Sequence, residues 1–401
     1  MNKTELLAPA GNLNNLRYAI AYGADAVYAG MPRYSLRVRN NDFHKLDNLA
    51  TGIQEVHAAG KQFYLASNAL PHNAKVKTFI KDMEPIMELG PDALIMADPG
   101  LILMVRERWP DTAIHLSVQS NTMNYASVRF WQQQGIARII LSRELSLDQI
   151  EEIRQECPEM ELEVFVHGAL CIAYSGRCLL SGYFNHRDAN QGSCTNSCRW
   201  DYKLKAASVD ISGDIQAIGT PVNGAEEQVY LLEESSRPGV QMPIEEDEHG
   251  TYIMNSKDLR ALEHVERLVS IGIKSLKIEG RTKSHYYVAR TTQIYRQAID
   301  DAEAGRPFNA KLLGSLENLA NRGYTDGFLQ RHPDQNYQNY LKSHSDSVKQ
   351  RFVGALAGYN PGNGMTCIDV KNKFSIGDEL ELILPGGNRT FRLKNMLDMD
   401  D

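Results

Sequence analysis

The chain has 401 residues, 42% of them hydrophobic and 23% charged, and a formal net charge of −7. This is the composition of a soluble globular protein and excludes a disordered chain, a collagen or a coiled coil. No apolar run approaches the roughly 18 residues of a membrane span, and the opening MNKTELLAPAGN has no secretory apolar stretch, so a cytoplasmic protein is expected.

From the N-terminus, short apolar runs alternate with helical patterns. Strands are predicted at Glu5–Ala8, Ala26–Ala29, Phe63–Ser67, Ala93–Ala97, Ile114–Val118, Arg138–Ser142 and Leu162–Val166. Ser275–Glu279 is the best eighth strand, with TYIMNSKDL as its rival. Helical patterns lie between them, among them Leu13–Ala21 and Leu147–Glu156, the latter with Ser146 as N-cap. A period of roughly 25–35 residues is that of βα units and implies a parallel sheet covered by helices. Seven or eight such units suit an α/β fold of the (β/α)8 TIM-barrel type, with an open doubly wound sheet as runner-up. LLAPAGN after the first strand is no GxGxxG, which argues against a dinucleotide site. Asn68, Asp98, Gln119, Asn121, Arg143, Glu144, His167, Glu279 and Arg281 stand at or just after strand ends. In a barrel they gather at the C-terminal mouth, where active sites lie, although some of them serve equally well as helix caps or loop anchors.

The period breaks after Leu170. Residues 171–250 read as a Cys-rich and acidic insertion, partly loop, within a barrel domain spanning 1–330. Helical patterns return at Lys257–Ile271, Ser284–Ala304 and Leu312–Arg322. A polar linker is expected at 331–350 and a small β-barrel domain at 351–401, whose acidic end reads as truncated. The charge is uneven. Asp210 to Gly250 hold ten acidic residues against Arg237, whereas Lys257 to Arg296 hold nine Lys and Arg against four Asp and Glu. Arg33, Arg37 and Arg39 form a further basic cluster. Each basic cluster suits a solvated surface or a phosphate-binding face equally.

Four of the six cysteines, Cys171, Cys178, Cys194 and Cys198, follow the spacing C-x6-C-x15-C-x3-C. Four thiolates hold either zinc or a [4Fe–4S] cluster. Zinc knuckles favour tight pairs, and the wide first pair here is closer to irregular iron–sulfur sites. Buried structural thiols are the plainer alternative, and a thiol activated by His167 is another; neither gives all four cysteines a role. Cys157 and Cys367 read as packing residues.

EVFVHGALCIAYSGRCLLS, residues 163–181, carries Glu163, Phe165, Gly168, Ala169, Leu170, Cys171, Gly176, Cys178, Leu180 and Ser181 in the signature pattern of the collagenase-like peptidase family U32. The chain resembles that family from ELLAPAG through YAG, DALIMADPG and HLSVQSN to SLKIEGR and the C-terminal β segment. YSLRVRNNDF, PHNAKVKTFIKD, SGRCLLSGYFNHRDANQGSCTNSCRW and EDEHGTYIMNSKDLRA are most similar to its prephenate-dependent tRNA 5-hydroxyuridine synthases. The resemblance implies hydroxylation of the wobble uridine of tRNA at carbon 5, an iron–sulfur cluster, and prephenate as co-substrate or required metabolite.

Inserting oxygen at a pyrimidine carbon is redox chemistry that side chains alone do not perform, and a cluster on Cys171, Cys178, Cys194 and Cys198 answers that need. The insertion is expected to fold over the mouth, near the candidate catalytic residues Gln119, Arg143, Glu144, His167, Glu279 and Arg281. Arg37, Arg39, Arg143 and Arg281 are natural partners for a small dicarboxylate. Arg37, Arg39, Lys257, Lys283 and Arg290 are expected to contact RNA phosphates, and Tyr174, Tyr183 or Trp200 to stack on a splayed anticodon-loop base. The competing readings are a cysteine- or metal-dependent peptidase, for which neither HExxH nor GxSxG is present, and a cluster-carrying RNA-binding accessory protein.

Overall fold

The computed structural model describes residues 3–31, 33–35, 42–71, 73–169, 257–317, 319, 321, 323–330, 352–362 and 364–397, and the backbone alone of 202–209, 215–217, 229–234, 241–247 and 250–253. Seven strands follow in order: β1 (Glu5–Pro9), β2 (Ala26–Gly30), β3 (Gln62–Ser67), β4 (Ala93–Met96), β5 (Ile114–Leu116), β6 (Arg138–Ile140) and β7 (Glu161–Ala169). Each pairs in parallel with the next. Ser275–Ile278, β14 in chain order, pairs in parallel with both β7 and β1. Eight strands therefore form a closed barrel, and the open sheet is excluded. The strands can be nearly all apolar because both their faces are covered.

The intervening helices are α1 (Leu13–Ala21), α2 (Leu46–Ala58), α3 (Asn73–Val76), α4 (Phe79–Met87), α5 (Pro99–Arg108), α6 (Tyr125–Gln133) and α7 (Leu147–Glu156). Their starts are written locally. Asn12 Oδ1 accepts from the Asn15 amide at 2.7 Å, Asp98 caps α5 ahead of Pro99, and Ser146 forms a reciprocal capping box with Gln149. Strand alternation sorts the apolar residues into two sets. Leu7, Tyr28, Tyr64, Ala66, Ile95, Ile140 and Phe165 fill the barrel, while Leu6, Val27, Leu65, Leu94, Leu162 and Leu276 meet the helices.

After Ala169 the chain departs from expectation. The described part of the insertion is a five-stranded antiparallel sheet of β8 (Tyr202–Val209), β9 (Ile215–Ala217), β10 (Val229–Glu234), β11 (Gln241–Asp247) and β12 (Gly250–Ile253). The rival TYIMNSKDL is split between β12 and β13 (Asp258–Arg260), which pairs antiparallel with the end of β7. The helix expected over Lys257–Ile271 is thus a strand followed by α8 (Val265–Ile271). The reason is that β7 runs past the barrel rim and leaves an edge that Asp258–Arg260 fills, Leu259 opposite Gly168. The last helices are α9 (His285–Glu303) and α10 (Lys311–Glu317), followed by β15 (Tyr324–Thr325), parallel to β13.

The C-terminal segment is β, in two separate antiparallel pairs: β16 (Gly354–Asn360) with β17 (Met365–Val370), and β18 (Glu379–Leu382) with β19 (Arg389–Arg392). It docks on α1 and α9. The Tyr22 hydroxyl donates to the Ile383 carbonyl at 2.8 Å, Phe352 stacks on Tyr286, and Gln293 donates to the Leu384 carbonyl. Among the described residues no helix is long and apolar enough to cross a membrane.

Candidate active site

The barrel interior carries charge. Near its N-terminal end Arg138 reaches Glu5 at 2.6 Å, Glu161 at 2.9 Å and Glu163 at 3.4 Å. Lys277 bonds Glu163 at 2.8 Å, and Tyr64 and Ser275 donate to Glu5. Buried charges survive only when paired in this way. Burial pushes the Lys277 ammonium below its ordinary range, against the opposing pull of Glu163.

Toward the C-terminal end, Phe165 and Tyr28 form an aromatic floor. The Arg143 guanidinium lies 3.8 Å from the Phe165 centroid, Lys277 Nζ 4.4 Å from that of Tyr28, and Arg281 5.7 Å from that of Tyr28. Arg143 pairs with Glu279 at 3.5 Å. Arg281 is buried, donates to Ser35 Oγ at 2.8 Å, and has no hydrogen-bond partner at Nε among the described residues. The walls are polar: Ser117 donates to Gln119 Oε1 at 2.6 Å, and the Ser142 hydroxyl bonds Glu144. Two glycines allow the strand ends to close in. A Cβ at Gly11 would sit 1.9 Å from the Arg281 carbonyl oxygen, and one at Gly168, whose φ is +104°, would sit 2.4 Å from that of Glu279. The glycine of LLAPAGN thus serves close packing at the mouth and not a dinucleotide.

Gln119, Arg143, Glu144, Glu279 and Arg281 all stand just beyond the C-terminal ends of their strands. Asp98 and Asn121 do not act there: Asp98 caps α5, and Asn121 ends a short helical turn in a left-handed conformation. His167 is a correction. A bulge places Lys277 opposite Phe165 but Ile278 opposite His167, so the alternation slips. The imidazole packs outside the barrel against Tyr287, Tyr295 and Tyr324, at centroid distances of 5.8, 5.4 and 5.5 Å. Burial, reinforced by Arg260 and Lys283, lowers its pKa to about 3. It is a neutral packing histidine, with Nε2 unpartnered among the described residues.

Arg290 is a second correction. It is buried and pairs with Glu381 at 3.0 Å, joining α9 to the C-terminal segment, and a guanidinium so enclosed does not reach a phosphate. Lys283 is half-buried with Nζ 5.5 Å from the Tyr287 ring, and Lys257 is half-buried with its pKa lowered by burial. Arg37, Arg39, Tyr174, Tyr183, Trp200 and the four clustered cysteines lie outside the described residues. Cys157 is buried, as a packing residue would be. Sequence reasoning missed Ser35, Tyr28 and Lys277. The signal for the last two was their inward register, shared with Leu7 and Phe165.

The chain matches the sequence profile of Peptidase family U32 over residues 11–339 and that of the Peptidase family U32 C-terminal domain over 348–401. The chain belongs to peptidase family U32. Of the relatives of this U32 protein, the tRNA hydroxylation protein P of Escherichia coli (strain K12) is 60% identical over 407 residues, covering 99% of this chain and 89% of that protein. The Haemophilus influenzae protein of the same name is 57% identical over 409 residues, with 98% and 89% covered. The E. coli 23S rRNA 5-hydroxycytidine C2501 synthase is 30% identical over 338 residues, 82% of this chain and 45% of that protein.

Proposed function

We propose that this U32 protein is a cytoplasmic tRNA hydroxylase that converts the wobble uridine to 5-hydroxyuridine. The observation that carries the reading is the 60% identity, over nearly the whole chain, to a protein named for tRNA hydroxylation. The mouth supports it. Its floor gathers Arg143 and Arg281 over two aromatic rings, which suits a small dicarboxylate such as prephenate, bound through bidentate guanidinium contacts. Glu279 and Glu144 line the same opening and are the groups available to hold a proton there. Gln119 offers an amide for orienting a base drawn from the anticodon loop. Arg37, Arg39, Lys257 and Lys283 remain candidates for phosphate contact.

Replacing C–H by C–OH is a two-electron oxidation, so the protein needs a redox group. Cys171, Cys178, Cys194 and Cys198 provide four thiols within a 28-residue window, the donor set a [4Fe–4S] cluster requires, and the first follows two residues after the end of β7. When bound, such a cluster supplies one-electron transfer.

The test is mass spectrometry of tRNA nucleosides from a deletion strain, complemented with wild type or with cysteine variants. The proposal expects 5-hydroxyuridine and its derivatives to vanish and to return with wild type alone. Anaerobically purified protein should be brown, with iron and sulfide that fall in each Cys→Ala variant. Unchanged nucleosides in the deletion strain would refute the reading. Full iron in Cys194→Ala or Cys198→Ala would move the fourth ligand elsewhere. A colourless zinc protein that cleaves peptides would favour a peptidase.

A further inference from the structure

The loops after β2 and β3 emerge at the mouth and are tied into one platform. Arg33 has a left-handed backbone, φ +67°, which residues with a side chain rarely adopt. It is held there by an ion pair to Asp82 at 2.7 Å and by its guanidinium over the Tyr34 ring. Tyr34 is fully buried, and its hydroxyl reaches the Lys75 carbonyl at 3.1 Å and Asp82 at 2.7 Å. Lys75 Nζ in turn donates to the Arg33 carbonyl at 3.0 Å. Two residues on, Ser35 accepts from Arg281, so the platform is joined to the mouth.

The outer surface of this platform is basic. Lys75 in α3, Lys77 in the turn after it and Lys81 in the first turn of α4 are all exposed. Asp82 is already shared by Arg33 and Tyr34. Among the described residues Lys77 and Lys81 have no carboxylate partner. In a chain of net charge −7, a fixed cationic surface beside the mouth favours a polyanion locally. Two buried anchors, Tyr34 and Arg281, set its position relative to the floor. Strain of this kind, over-determined by surrounding contacts, clusters at functional sites.

We infer that Arg33, Lys75, Lys77 and Lys81 form the surface on which the RNA phosphate backbone docks, setting the strand across the mouth. The inference rests on the tRNA reading above and adds the location of the contact. Lys77 and Lys81 supply charge that no carboxylate of the described residues pairs, whereas Lys75 and Arg33 brace the platform as well as charging it.

The experiment is equilibrium binding of an unmodified tRNA transcript, with a wobble uridine, to the full-length protein at several salt concentrations. Lys77→Glu/Lys81→Glu is compared with a charge-matched control, Lys3→Glu/Lys274→Glu, whose residues precede β1 and β14 at the opposite end of the barrel. The expected result is a loss of roughly tenfold or more for the first pair and a salt slope shallower by roughly 1.4 to 1.8, two phosphate contacts fewer, with the control near wild type. The neutral pair Lys77→Gln/Lys81→Gln should give a smaller change of the same sign with an unchanged melting temperature. Equal loss in both reversed pairs, or no loss in the first, overturns the docking site. If the wild-type protein itself fails to bind the transcript, the tRNA reading falls, and the docking inference with it.

Discussion

Inside the barrel, Arg138 and Arg281 sit in two layers of charge that are differently finished. Arg138 meets three carboxylates, and Lys277 beside it meets Glu163, which is fully buried. Among the described residues Arg281 has one neutral partner in Ser35 and an Nε with none, and Arg143 has a long contact of 3.5 Å to Glu279. The charges of the inner layer are paired with one another and belong to folding. The outer layer keeps capacity in reserve, and that reserve is what a ligand can use. The same residue type thus plays opposite parts a few ångströms apart.

The inner layer should be the costliest to break. Arg138→Met takes the guanidinium from buried Glu5 and leaves Glu163 with Lys277 alone, and unfolding in urea is expected to lose about 3–5 kcal/mol. A loss below about 1 kcal/mol would remove the distinction between the layers. Next comes the partner of the C-terminal segment. Arg290→Met removes the buried guanidinium from half-buried Glu381, which keeps its bond from Asn388, and should cost about 1–3 kcal/mol, seen as faster amide exchange in Gly354–Arg392.

His167 tests the comparison through pH. Its folded-state pKa lies at about 3, below the roughly 6.5 of an unfolded histidine. The unfolded chain therefore binds the extra proton, and stability present above pH 6.5 is lost as pH falls toward 3, by about 2 kcal/mol at pH 5 relative to pH 7. His115, neutral inside the barrel through burial and the nearby Arg138 and Lys277, adds to the same acid slope. His167→Gln should flatten that slope by up to one proton while leaving the His115 part. An unchanged slope would mean that the imidazole is not held neutral.

The smallest effect on folding is expected at the mouth. Arg281→Ala should shift stability by about 1 kcal/mol or less, because it removes a group whose hydrogen bonds are only partly met. Its hydroxyuridine content in tRNA should nevertheless fall to background in the nucleoside assay. If Arg281→Ala modifies tRNA normally, the reserve in the outer layer has another purpose.

Much of this architecture was legible locally. The period of apolar runs gave seven strands in place, and Ser275–Glu279 was correctly preferred as the eighth. Ser146 was recognisable as a cap because its partner Gln149 is three residues away. The polar residues after the strands were placed at one end of the barrel because parallel topology leaves no other choice. Beyond Ala169 the reading weakened. Lys257–Ile271 has a helical pattern, yet its first part is drawn into a strand by the free edge of β7.

What the sequence determined by itself is whatever depends on periodicity and near neighbours: barrel class, strand order, caps, and the cysteine spacing that marks a candidate cluster. What only the tertiary structure decided depends on partners far away along the chain. His167 faces outward because a bulge against β14 shifts register at a single residue, and a one-residue slip sends a side chain to the other face. Arg290 is sealed by Glu381, 91 residues on, and Arg281 is oriented by Ser35, 246 residues back. Which charge is spent and which remains in reserve is settled by such long-range pairings, since the free energy of a buried charge is fixed by what surrounds it and not by its place in the chain.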